Sequence, residues 1–132
     1  MDQNLLTQLQ QATQGLSFQS ESDAPIEPFT VSESEATVSP ETVLKAGHYP
    51  AGTKVKSTSL QTFFKNAMQM QDWFNDEEKQ AAQRFQNLVQ LLKDNLKGVK
   101  VFKVGETEQD VYVLGTTQDG SVAGVKTKVV ET

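Results

Sequence analysis

Gln71-Asp72-Trp73-Phe74-Asn75-Asp76-Glu77-Glu78 opens the segment on which the fold turns. Asn75 is a helix-capping residue type. Glu78, three positions on, is spaced to reach back to the open N–H, the pattern of a capping box. Behind it Ala81, Phe85, Leu88, Leu92 and Leu96 recur at helical steps, and Ala82 and Val89 widen the stripe. Lys79, Arg84, Lys93 and Asp94 fall outside it, so the spacing predicts an amphipathic helix with one buried face. Lys97 and Gly98 read as its stop, with Val99 the apolar residue after the cap. A helix of about 22 residues is ~33 Å long, the width of a small domain. It is expected to act as a scaffold. The Asp72-Trp73 corner, which sets the chain's single Trp beside an acid, is expected to be something it presents.

Beyond that helix the chain reads as β. Val99 to Val104 alternates. Asp110 to Thr116 holds Val111-Tyr112-Val113-Leu114, apolar on both faces and so a central strand. Asp119-Gly120 signals a two-residue hairpin. Ser121 to Val130 follows, with Val125, Thr127 and Val129 on one face and Lys126, Lys128 and Val130 on the other.

Ahead of the long helix, Asp2 is positioned to cap a first helix with Leu5, Leu9, Ala12 and Leu16 on one face, ended by Gly15. Phe18 is expected to anchor the next stretch in the core, and Ser20 to Pro25 reads as an exposed acidic loop. Ile26 to Val31 alternates like a strand, and Pro28 makes it an edge. Ser39-Pro40-Glu41 starts a short helix that ends near Ala46-Gly47. Lys54-Val55-Lys56 reads as a short strand. Thr58 with Gln61 reads as a capping box for a helix through Phe63, Phe64 and Ala67. Without an internal repeat or a composition break, residues 1–132 form one domain: an α/β fold with helices packed on a mainly antiparallel sheet.

Composition bounds the function. Hydrophobic residues make up 36% of the 132, which supports one modest core. There is no Cys, so disulfides and thiolate metal sites are excluded. No apolar run approaches the ~20 residues of a membrane span, and the first residues lack the basic and apolar regions of a signal peptide. The expected location is the cytoplasm. The net charge of −5 is unevenly spread: residues 1–44 hold seven acids and no Lys or Arg. An acidic front half repels phosphate backbones, which argues against direct nucleic-acid binding and for a basic protein partner.

Little supports catalysis. There is no nucleophile elbow, no phosphate-cradling Gly loop and one His, His48, in a Tyr/Pro/Gly loop with no nucleophile near it in sequence. Glu106, Glu108 and Asp110 alternate before a strand, either as a hard-cation site or as a solvated lead-in. Met68 and Met70 read as filler at a helix end. Three features remain, each with two readings. Glu21 lies between serines in a lysine-free loop, as plain surface or as a contact. Trp73 is a lid on the core or an interface anchor. Thr132 closes a strand-borne tail that either frays or presents two hard oxygen donors.

At these residues the sequence resembles the nuclease A inhibitor family. The matching runs are Phe18-Gln19-Ser20-Glu21-Ser22, Gln71-Asp72-Trp73 with Asp76-Glu77-Glu78, Asp110-Val111-Tyr112-Val113 with Leu114, and Thr127-Lys128-Val129-Val130-Glu131-Thr132. Nearly the whole chain is covered, and residues 30–58 depart most. The resemblance implies an α-β-α sandwich similar to plant pathogenesis-related proteins. It also implies a non-enzymatic inhibitor, monomeric when free, that forms a 1:1 complex with a sugar-nonspecific, Mg²⁺-dependent nuclease. In that family the acid matching Glu21 stands in for the scissile phosphate, and the threonine matching Thr132 coordinates the nuclease's Mg²⁺. The pair matching Asp72 and Trp73 forms a second contact. The inhibitor itself carries no cofactor. The alternative is an acidic interaction module of the same fold with a partner that is not a nuclease.

Overall fold

The computed structural model describes residues 3–19, 23–31, 38–47, 49–50, 52–68, 73, 75–106, 108–118 and 120–130. Five strands form one antiparallel sheet in the order β3-β7-β6-β5-β4. They are β3 (Glu27–Val31), β4 (Val55–Thr58), β5 (Lys97–Val104), β6 (Glu108–Thr116) and β7 (Val122–Val130). β6 is the central strand that its doubly apolar pattern predicts, and β3 is the edge that Pro28 predicts.

The helices divide between the two faces. α1 (Gln3–Thr13), α3 (Leu60–Met68) and α4 (Asp76–Asn95) pack Leu5, Leu9, Phe64, Phe85, Leu88 and Leu92 against Val101, Val111, Val113, Val125 and Val129. On the other face α2 (Pro40–Ala46) sets Val43 against Phe102, Tyr112, Leu114 and Val122. Odd and even residues of β5 and β6 go to opposite clusters, so the period-2 alternation of the strands builds both cores at once. Leu88 and Leu92 are fully buried, and truncating either to Ala costs about 2–5 kcal/mol. No helix among the described residues is long and apolar enough to cross a membrane.

The long helix forms as its sequence predicts, with shifts at both ends. Asn75 Oδ1 accepts from the Glu78 N–H at 2.8 Å. The stripe begins at Ala82, because Ala81 is exposed. The helix stops at Asn95 with Leu96 extended as its C-cap, earlier than Lys97-Gly98. Gly98, at φ +62°, instead lies within β5. There the pairing slips by one residue between Lys97–Thr116 and Lys100–Leu114, so the glycine serves a β-bulge.

Other boundaries move for equally local reasons. Thr58 ends β4, and the cap of α3 is Ser59, whose Oγ accepts from the Thr62 N–H at 3.1 Å. The β6–β7 turn is longer than two residues: Thr117 N–H donates to the Ser121 carbonyl, and Gly120 N–H to the Thr117 carbonyl, with Gly120 at φ +85°. That is a turn followed by a left-handed glycine, the next commonest hairpin closure. The expected loop after α1 contains a hairpin, β1 (Ser17–Gln19) paired with β2 (Asp23–Pro25). Strands of three residues are too short to show an alternation in sequence. Phe18 lies in β1, with its side chain outside the described set.

Candidate interaction site

Of the four residues singled out in the sequence, Trp73 lies among the described residues. Glu21, Asp72 and Thr132 lie outside them, as do His48 and Met70. Trp73 is 77% exposed, the one large hydrophobic residue among the described ones that the two cores leave out. The reading of Trp73 as a lid on the core therefore fails.

Two described elements that flank these positions in sequence, the β1–β2 hairpin and β7, meet at one end of the sheet. Residues 20–22 join Gln19 to Asp23, which are paired across the β1–β2 hairpin. That hairpin lies beside the part of β7 beyond Lys126, where β3 has stopped pairing. Thr127 of β7 is buried and bridges the two: its Oγ1 donates to the Pro25 carbonyl at 3.1 Å and lies 3.5 Å from the Ala24 carbonyl. β7 then runs on to Val130, paired with Glu108, and Thr132 is two residues further along the chain.

α4 runs in the direction of the same end. Its C-terminal end sits over Gly115, where an added Cβ would meet Leu96 Cβ at 2.7 Å. Arg84, further back, donates through Nη2 to the carbonyls of Ala12 at 3.1 Å and Gln14 at 2.6 Å. It thereby satisfies the last turn of α1 just before Leu16, whose carbonyl accepts from Ile26 N–H. Ile26 precedes Glu27, which pairs with Lys126. Between Leu96 and Arg84 the helix has therefore travelled from the Gly115 end of the sheet towards the Lys126 end. Nine more residues back to Asn75 add about 13 Å in the same direction. The β1–β2 hairpin and the end of β7 thus share one margin, and the N-terminal half of α4 runs in its direction.

A second polar cluster adjoins that margin. Tyr49 donates its hydroxyl hydrogen to Asp110 Oδ2, and the Tyr49 and Tyr112 oxygens are 2.8 Å apart. With its own hydrogen committed to Asp110, Tyr49 accepts from Tyr112. Burial, followed by the donation to Asp110, pushes the Tyr49 hydroxyl well above the ordinary phenol range. Burial also raises Tyr112; the bond to Tyr49 opposes that shift and the Asp110 charge adds to it. Sequence reading passed over this cluster, because Tyr49 is 61 positions from Asp110. Its one visible signal was the shared strand face of Asp110 and Tyr112.

The acidic run that leads into and begins β6 forms no cation cage among the described residues. Glu106 pairs with Lys54 at 3.3 Å, Asp110 Oδ1 faces Lys128 at 3.9 Å, and Glu108 is exposed. Among the described residues no three metal-ligating side chains gather.

Comparison with known proteins adds the identity this arrangement suggests. No curated protein matches the chain. A family model described as nuclease A inhibitor-like protein matches residues 3–132, from the first turn of α1 through the whole sheet to the last residue of the sequence. A match of that extent leaves no part of the fold unaccounted for, and the chain belongs to the nuclease A inhibitor-like family.

Proposed function

We propose that this chain inhibits a sugar-nonspecific, Mg²⁺-dependent nuclease by occupying its active site in a 1:1 complex. The observation that carries the reading is the family match over nearly the whole chain. Glu21 replaces the scissile phosphate. Thr132 offers an oxygen to the nuclease's Mg²⁺, so the metal belongs to the partner and the inhibitor needs no cofactor of its own. Asp72 and Trp73 make a second contact. The fold is that of the family's α-β-α sandwich, akin to plant pathogenesis-related proteins. The protein is a monomer when free, acts by binding and not by catalysis, and works in the cytoplasm, where it protects nucleic acids from a nuclease destined for export.

Physical chemistry supports each part. A nonspecific nuclease presents a basic groove to phosphate backbones. The chain's net charge of −5, concentrated in its first third, steers it to such a groove and away from nucleic acid itself. The exposure of Trp73 suits an anchor that becomes buried only on binding. The adjacency of the β1–β2 hairpin and the end of β7 suits a single target.

The test is to mix the purified protein with a basic Mg²⁺-dependent nuclease and follow DNA digestion. The expected result is arrest at one inhibitor per nuclease, with an association rate that falls as salt rises. Digestion that proceeds unchanged would assign the chain to a non-nuclease partner.

A further inference from the structure

Among the described residues, the sheet face beneath α2 is only partly covered. α2 has seven residues and packs over Phe102 and Leu114. The far end of that face, around β3, β6 and β7, is left as an open groove of about 560 Å³. Its apolar wall is aromatic. Phe29 and Tyr49 each meet the Tyr112 ring edge-on, at centroid distances of 5.1 and 6.3 Å. Gly47 is part of this wall by steric necessity, because a Cβ there would lie 2.2 Å from the Tyr49 ring.

The polar side of the groove is unequally spent. Both phenol hydrogens are directed inward, Tyr112 to Tyr49 and Tyr49 to Asp110. Lys126 Nζ lies 4.0 Å from Glu27 and Lys128 Nζ lies 3.9 Å from Asp110. These are Coulomb contacts beyond hydrogen-bond reach, so the ammonium N–H groups are not used by those acids. Lys126 also sits over the Phe29 ring, 5.8 Å from its centroid. Residues two apart on a strand share a face at about 7 Å. The two ammoniums therefore flank one patch directly beside the rings.

We propose that this groove binds a small aromatic anion: a flat ring system carrying a carboxylate, sulfonate or phosphate. The half-buried rings of Phe29 and Tyr49 take its body, with Tyr112 as the buried floor beneath them, and Lys126 and Lys128 take its charge. Glu27 and Asp110 balance the two lysines in this lining, so an anion is favoured by the ammonium N–H groups those acids do not use, which a neutral ring would forgo. A nucleic-acid strand would find only two lysines, hemmed in by Glu27 and Asp110. The assignment stands apart from the nuclease reading.

The test titrates the folded protein with 8-anilinonaphthalene-1-sulfonate and with its uncharged counterpart N-phenyl-1-naphthylamine. Binding is followed by fluorescence and by amide chemical shifts. The sulfonate should saturate a single site and shift the amides of Lys126, Thr127 and Lys128. Lys126→Gln with Lys128→Gln should weaken it by about tenfold or more, the worth of one charge-assisted contact. Phe29→Leu, which removes a ring but keeps an apolar side chain, should weaken it as well. Lys65→Gln with Lys93→Gln, in the cleft between α3 and α4, should leave it unchanged. Equal affinity for the uncharged compound, shifts that map elsewhere, indifference to the paired lysine change, or no saturable binding would each overturn the assignment.

Discussion

Thr127 Oγ1 donates to the carbonyl of Pro25 at 3.1 Å, and through that bond the last strand holds the hairpin that contains Glu21. β3 pairs with β7 only as far as Lys126, so the hairpin lies against the part of β7 that β3 leaves. Replacing Thr127 with Val keeps the shape and removes the bond, at a net cost of about 1 kcal/mol. Amide exchange in β1 and β2 should accelerate more than in β6, and inhibition of the nuclease should weaken. Uniform exchange changes across the sheet would mean that the hydroxyl contributes general stability and no positioning.

Trp73 is 77% exposed, so it contributes little to the core. Trp73→Ala should leave the melting temperature within about 0.5 kcal/mol of the parent in stability terms. Its cost should appear in the complex, as a loss of ~2 kcal/mol or more in binding to the nuclease. A large fall in melting temperature, or unchanged inhibition, would contradict the role assigned to it.

Gln109 is 2% exposed on the central strand, and its Oε1 has no hydrogen-bond partner among the described residues, while its Nε2 donates to the Glu106 carbonyl at 3.1 Å. An unsatisfied buried acceptor costs about 1–3 kcal/mol, more than the net value of one neutral hydrogen bond. Gln109→Met, similar in size and free of that acceptor, should therefore raise stability by about 1 kcal/mol in urea unfolding. A destabilisation of the same size would show that the Glu106 contact outweighs the orphaned oxygen.

The Tyr49–Asp110–Tyr112 cluster predicts how stability ends at alkaline pH. Both phenols are raised by burial, Tyr49 further by its bond to Asp110. In the unfolded chain they ionise near pH ~10, and in the folded protein only above that. The unfolded state thus loses its protons first. Their contribution is complete below about pH 10 and is lost as pH rises from there through the folded values. The melting temperature of the parent should fall more steeply above pH 10 than that of Tyr49→Phe. Parallel curves would mean that lysine deprotonation governs the alkaline limb.

Much of the fold was legible because long elements repeat their signals. The stripe of α4 names its buried face from Ala82 to Leu92, and β6 declares itself central by being apolar on both sides. What sequence missed was short or non-local. The β1–β2 hairpin has three residues per strand. Ser59 caps α3 although Thr58 offers the same chemistry one position earlier, and only the pairing of Thr58 with Val101 decides between them. Gly98 has the identity of a helix stop, yet Leu96 ends the helix by turning extended, and the glycine is used two residues later in the sheet. Arg84 looked like solvent-facing charge and instead closes the end of α1 across 70 positions. At the candidate site, residue types pointed to Glu21, Asp72, Trp73 and Thr132. The bond that orders the hairpin, from Thr127, has no signature beyond an apolar-faced threonine.

The central claim is that one acidic side chain substitutes for a phosphate in the nuclease. Inhibition constants for Glu21→Gln and Glu33→Gln, measured side by side against the same Mg²⁺-dependent nuclease, test it most directly. The two changes remove equal charge from the same acidic third of the chain. The account predicts that Glu21→Gln weakens inhibition by about tenfold or more, as loss of a charge-assisted contact should, while Glu33→Gln stays close to the parent. Equal constants for the two variants would contradict it.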